Sequence, residues 1–174
     1  MNPLRLAVVA IILLGACGCR SEVEQAEPAG KPDGTVPIRA VWHSNQCVSD
    51  EAKIEPITTQ ATLEKWWQPF ARLQFPAKAL PQDLGAINFD ESALFAIFMG
   101  SRPTAGYGIE LHADRAQVRR ASLTIPATWQ VPTDDMTTAQ IATSPCIIVT
   151  VPAQPYRRVT VRDQRGNTLL DAGF

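Results

Sequence analysis

Leu94-Phe95-Ala96-Ile97-Phe98-Met99, running into Gly100-Ser101-Arg102-Pro103-Thr104-Ala105-Gly106-Tyr107-Gly108, decides how the rest of the chain is read. The first six residues are apolar at every position, which predicts a strand covered on both faces. Pro103 fixes φ near the value wanted early in a turn, and Gly106 can take φ > 0 without a Cβ clash. Tyr107, Ile109 and Leu111 then alternate with Gly108, Glu110 and His112, a half-buried strand opened by an aromatic anchor. His112 falls on the polar face. The segment reads as strand, turn, strand, and in its simplest form as a hairpin.

Downstream, residues 113–119 read as a polar turn. Ala121, Leu123, Ile125, Ala127, Trp129 and Val131 alternate with polar residues and two prolines, Pro126 and Pro132. That is a strand, and its prolines place it at a sheet edge or on bulges. A loop is expected at 133–136, a short strand at 138–143 and a buried strand at 146–151. Residues 156–161 form a further strand, and Asp163-Gln164-Arg165-Gly166-Asn167 turns into a last one at 168–170.

Upstream, residues 37–43 predict a first strand, with Ile38, Ala40 and Trp42 on one face and Arg39, Val41 and His43 on the other. Thr59 can cap a helix whose apolar stripe is Leu63, Trp66, Trp67 and Phe70. Pro69 is expected to stop or kink it, or to start a new turn. The tryptophans share the stripe with Leu63, so they read as core rather than as a binding platform. Residues 75–84 read as a proline-rich connection. Asp90 and Glu91 are neighbours in an extended segment and point to opposite faces, so they make a solvated turn rather than a catalytic pair. Six to eight short strands and one or two short helices argue for an α+β fold with a mainly antiparallel sheet, as a small sandwich or an open barrel.

The block from Gly100 to Tyr107 resembles the G-x-[RK]-P-T-G-G-Y signature of the PrcB-type protease-complex subunit family. Gln140-Ile141-Ala142-Thr143-Ser144-Pro145-Cys146, running into a valine-rich strand and Pro152, resembles that family's second block, Q-x-x-T-x-P. The resemblance covers about residues 89–161. Ala105 stands where the family has glycine, so a positive φ there would cost about 1 kcal/mol. Thr133 follows Pro132 where a glycine is common. The resemblance implies a non-catalytic binding subunit that assists or scaffolds an extracytoplasmic protease. Arg102, Pro103, Thr104, Gly106 and Tyr107 are the candidate binding residues. Pro103-Thr104-Ala105-Gly106-Tyr107 also resembles the N-P-T-T-G-[YF] loop of chagasin-type cysteine-protease inhibitors, which implies an inhibitor presenting residues 102–107. A purely structural envelope lipoprotein is the third reading.

The N-terminus carries an address. Arg5 supplies a positive region and residues 6–14 a short apolar one, below the roughly 20 residues a membrane span needs. Leu14-Gly15-Ala16-Cys17 resembles a bacterial lipobox, which implies a signal peptide at 1–16 and acylation of Cys17. The alternatives are an ordinary signal peptide or acylation at Cys19. Gly18, rather than Asp, follows Cys17, which resembles an outer-membrane address. The expected location is the cell envelope, lipid-anchored and facing the periplasm. Residues 17–35 hold Glu22, Glu24, Glu27, Pro28, Pro32 and Gly34, and their composition assigns them to a disordered tether. Residues 36–174 remain as a single domain.

With 174 residues and a net charge of −1, the chain offers no electrostatic case for nucleic acid. It has two histidines, and neither has a Cys or His neighbour at ligand spacing, so no metal or other cofactor is expected. No G-x-S-x-G elbow, P-loop or dinucleotide fingerprint occurs, and no enzyme activity is expected. Cys47 and Cys146 are the cysteines inside the domain. An oxidising compartment favours a bridge between them, and the alternative is two buried thiols.

Overall fold

In the computed structural model, which describes residues 34–72 and 78–174, the apolar run lies inside a four-stranded antiparallel sheet. Its strand β4 (Ser92–Met99) sits between β3 (Ala52–Ile57) and β8 (Cys146–Pro152), and β2 (Arg39–Ser44) pairs with the far side of β8. A six-stranded sheet runs in the order β1 (Gly34–Pro37), β6 (Arg115–Arg119), β7 (Ser122–Gln130), β9 (Arg158–Arg162), β10 (Thr168–Gly173). β5 (Gly108–Leu111) pairs with the second half of β7. Every pair is antiparallel except β7 with β9. Two helices, α1 (Gln60–Arg72) and α2 (Gln82–Gly85), complete the described elements. The class is α+β, mainly antiparallel, and of the two expected forms the small sandwich is the one found.

β4 is covered on both faces because three layers meet there. Phe95, Ile97 and Met99 point into the core between the sheets, with Leu123, Ile125, Ile147 and Val149. Leu94, Ala96 and Phe98 point the other way, onto Leu63, Trp67 and Phe70 of α1. Thr59 caps α1 as expected: its Oγ1 accepts the Thr62 N–H at 3.1 Å. Trp42 meets Trp66, Trp67 and Phe70 edge-on at 5.4–5.8 Å, so the tryptophans are core. Pro69 neither stops α1 nor begins a new one; the helix continues to Arg72. Pro69 is exposed, and the burial of Trp67 and Phe70 on either side of it holds the turn.

The structure corrects several expectations. The unit from 94 to 111 is not a hairpin, because β4 belongs to one sheet and β5 to the other. The turn at 100–107 carries the chain across the sandwich. β1 takes in Gly34 and Thr35, which composition assigns to the tether. A bulge between Ala40 and Trp42 reverses the alternation of β2, so Val41 is buried and Ala40 exposed. β3 was not expected: Lys53, Glu55 and Pro56 mask a sheet-edge strand that buries Ile54 and Ile57. The supposed polar turn at 113–119 contains β6, with Ala116 and Val118 buried. Residues 138–143 form no strand; they contribute only the isolated bridge between Thr143 and Arg102. The 75–84 connection contains part of α2, with Leu84 fully buried. In all there are ten strands among the described residues.

Pro126 lies inside the sheet, not at its edge. It sits where β7 passes from β6 to β5, after Thr124 and before Ala127. The His112 N–H reaches the Pro126 carbonyl at 3.3 Å, and the return bond is the one a proline cannot make. At the other end of this sheet, Arg158 and Thr160 hold the Asp171 carboxylate across the β9–β10 hairpin. They lower its pKa to about 2, so it stays ionised well into acid.

The expected signal peptide, the acylation expected at Cys17 and most of the expected tether fall outside the described residues. No helix among the described residues is long and apolar enough to cross a membrane.

Candidate functional site: the loop end of the sandwich

The crossing from β4 to β5 begins with a forced step. Gly100 has φ +80°, and a Cβ there would stand 2.9 Å from the Ala52 backbone N. The next N–H, of Ser101, donates to Asp50 O at 3.1 Å. The chain then runs beside the segment that precedes β8. Arg102 N donates to Thr143 O at 2.7 Å, and Thr143 N returns to Arg102 O at 2.9 Å. Thr143 Oγ1 donates to the Thr104 carbonyl at 2.9 Å, and Ala105 N donates to Ala139 O at 3.0 Å. Pro145 closes the set by accepting the Met99 N–H at 2.8 Å. The two blocks singled out in the sequence, some forty residues apart, are thus one structural unit.

Arg102 is one of the candidate binding residues. The structure turns it inward. Its Nη2 donates to the carbonyl of Met99 at 2.7 Å. Its guanidinium lies 5.4 Å from the centre of the Trp129 ring and 5.7 Å from that of Tyr107. Both are cation–π distances. Tyr107 is half-buried against the core just before β5, as an anchor should be. Pro103 and Gly106 are exposed, and Thr104 is half-buried. Gly106 has φ +93°, and a Cβ there would come within 3.2 Å of Thr138 Cγ2. Ala105 does not have a positive φ, so its replacement of the family glycine carries no backbone strain.

Arg102→Ala is therefore expected to lower stability, not only to alter binding. A hydrogen bond to a charged group contributes about 1.5–3 kcal/mol, and two aromatic faces lose their cation as well. A fall of about 2 kcal/mol in urea unfolding would fit. An unchanged midpoint would show that the inward geometry contributes nothing.

A third loop joins the first two. Cys47 bonds to Cys146 with their Cα atoms 5.9 Å apart, so the bridge expected from the sequence is present. Cys47 N donates to Ser144 O at 2.7 Å, Ser144 N to Asn45 O at 2.9 Å, and Ser144 Oγ to Ser49 O at 2.6 Å. The three loops expose Val48, Val131, Met136 and Ile141, each more than half exposed. Among the described residues only one other large apolar side chain, Phe174, is as exposed. Thr143 and these apolar side chains were not singled out from the sequence. Thr143 was visible as the threonine of the second block; the others carry no signal until the loops are placed.

Residues 94–152 match the family model described as PrcB C-terminal. Over this segment the chain is similar to the PrcB C-terminal family. The match runs from β4 to the end of β8 and so contains the sheet crossing, both motif blocks and the bond between them. No curated protein and no solved structure matches the chain. Among the described residues no three of His, Cys, Asp and Glu are grouped so as to hold a metal ion.

Proposed function

We propose that this chain is a non-catalytic envelope lipoprotein whose PrcB-type domain binds or scaffolds an extracytoplasmic protease complex. The observation that carries the reading is the loop end. Three loops are fixed by hydrogen bonds and a disulfide, yet they leave four large apolar side chains in solvent. Fixed loops lose little entropy when a partner docks, and large apolar side chains held in solvent on them give a partner surface to cover. Acylation at Cys17, implied by Leu14 to Cys17, would tether the domain to the membrane, and the outer membrane facing the periplasm is the proposed site. The inhibitor reading draws on Pro103 and Gly106, which are exposed, but Arg102 and Thr104 are bonded to the chain itself.

Crosslinking in the protein's own cells, followed by capture of the full chain, tests this. Wild type is expected to recover a protease, identified by mass spectrometry. Met136→Asp with Ile141→Asp should lose it at unchanged stability, since exposed changes usually stay within about 0.5 kcal/mol. A protease recovered equally by both would place the contact elsewhere, and none recovered by either would end the reading. In the same cells Cys17→Ser should abolish labelling by a palmitate analogue.

A further inference from the structure

Beyond the bond from Ile38 N to Asp114 O, at 2.9 Å, β2 and β5 are not paired with each other. A cleft of about 790 Å³ lies between them, with Ile38, Ile109 and Ile147 among its lining. These three also belong to the core between the sheets, so the cleft reaches that core. Both rims are sheet edges: among the described residues β2 pairs only with β8, and β5 only with β7.

The ladder pattern tells which backbone groups face the opening. The bond from His112 N to Pro126 O extends the β5–β7 register by one pair. Bonded and non-bonded pairs alternate in an antiparallel ladder. The backbone groups of Glu110 and Gly108 therefore turn toward β7, and those of Ile109 and Leu111 turn toward the cleft. On the other rim, the bond from Met99 N to Pro145 O sets the phase of β8. Ile147 then turns its backbone toward β4, while Cys146 and Ile148 turn toward β2. Ser44 and Trp42 face them, so His43 directs its N–H and C=O away from β8, to the unpaired edge.

We propose that this cleft binds an extended peptide of a partner protein, added as a strand along β5. Donors and acceptors repeating every second residue are the complement of a strand, not of a helix. The β5 edge is four residues long, about 14 Å at the usual rise. The lining mixes Ile38, Tyr107, Ile109 and Ile147 with Arg39, His43, Glu110 and Asp114, so the segment it takes alternates apolar and polar side chains. Because β2 and β5 both line the cleft, a single extended segment, rather than the edge of a second sandwich, is the occupant proposed. The proposal stands without the protease-complex reading, since its residues differ from the exposed apolar set.

Immobilised full chain, screened with a library of heptapeptides apolar at alternate positions, is expected to retain members. Amide exchange followed by NMR is the readout. Bound peptide should slow the Ile109 and Leu111 amides by about tenfold or more and leave Gly108 and Glu110 nearly unchanged. N-methylation of the peptide's alternate amides should abolish retention, while Met136→Asp with Ile141→Asp should not. The proposal is overturned if no peptide is retained, or if retained peptides leave Ile109 and Leu111 unaffected. It is equally overturned if those two amides are already protected in the free chain. Protection that grows with protein concentration would assign the edge to a second copy, and concentration-independent protection to a segment of the chain itself.

Discussion

Replacing Cys47 and Cys146 together by alanine is expected to lower stability by about 2–5 kcal/mol, the range seen when a native bridge is removed from a small secreted domain. The bridge spans 99 residues of sequence. In the chain-entropy account, a loop of that size restrains the unfolded chain by about 4.7 kcal/mol. The folded state loses less. Alanine fills most of two sites that are 5% and 2% exposed, and the hydrogen bonds from Cys47 N and Ser144 Oγ are independent of sulfur. Urea unfolding should show both a lower midpoint and a steeper slope, because the unbridged chain exposes more surface when it unfolds. The steeper slope separates this from a simple packing loss. A variant that unfolds like wild type would mean that the bridge does not restrain the unfolded chain. The first amides to lose protection should be those of residues 45–51, since the bridge ties that loop to β8.

How far the sequence could be read depends on how each element announces itself. α1 was legible because Leu63, Trp67 and Phe70 repeat at helical spacing and the sheet buries that stripe. β4 and β8 were legible because a strand covered on both faces has no polar positions to disguise it. β6 was not. Its two-residue turn into β7 uses Arg120 and Ala121 at φ 47° and 61°, where Asn-Gly is the usual signal. With no glycine to mark the reversal, the strand looked like part of a polar loop. β3 was hidden by Lys53, Glu55 and Pro56, residues that suit a sheet edge and depress strand propensity. The candidate site was legible as two motif blocks, but not as a contact. No local pattern reveals that Arg102 lies between Tyr107 and Trp129, because Trp129 comes from the far end of β7. For the same reason the crossing at 100–107 looked like a hairpin: its residue types fix the turn, and only long-range pairing fixes which sheet receives the next strand.

Gly100→Ala is expected to be the most damaging single change in that crossing. Two terms act together there. The φ of +80° costs an alanine about 1–2 kcal/mol. The added Cβ would also meet Ala52 N at 2.9 Å and Asp50 O at 3.0 Å, and these are backbone atoms that no rotamer change can move aside. Relief requires β3 and β4 to part where Ala52 pairs with Met99, and forced shifts of that kind cost about 1–3 kcal/mol more. The internal comparison is Gly166, with φ +82° and nothing within 4 Å of a new Cβ. Gly166→Ala carries the backbone term alone, about 1–2 kcal/mol. The difference between the two variants in urea unfolding therefore measures the close approach itself. Equal losses would show that β3 yields freely at its end and that Gly100 is required only for its φ. A larger loss at Gly100 should come with weakened protection of the Ser101 and Arg102 amides, whose bonds to Asp50 and Thr143 begin one residue beyond the displaced backbone.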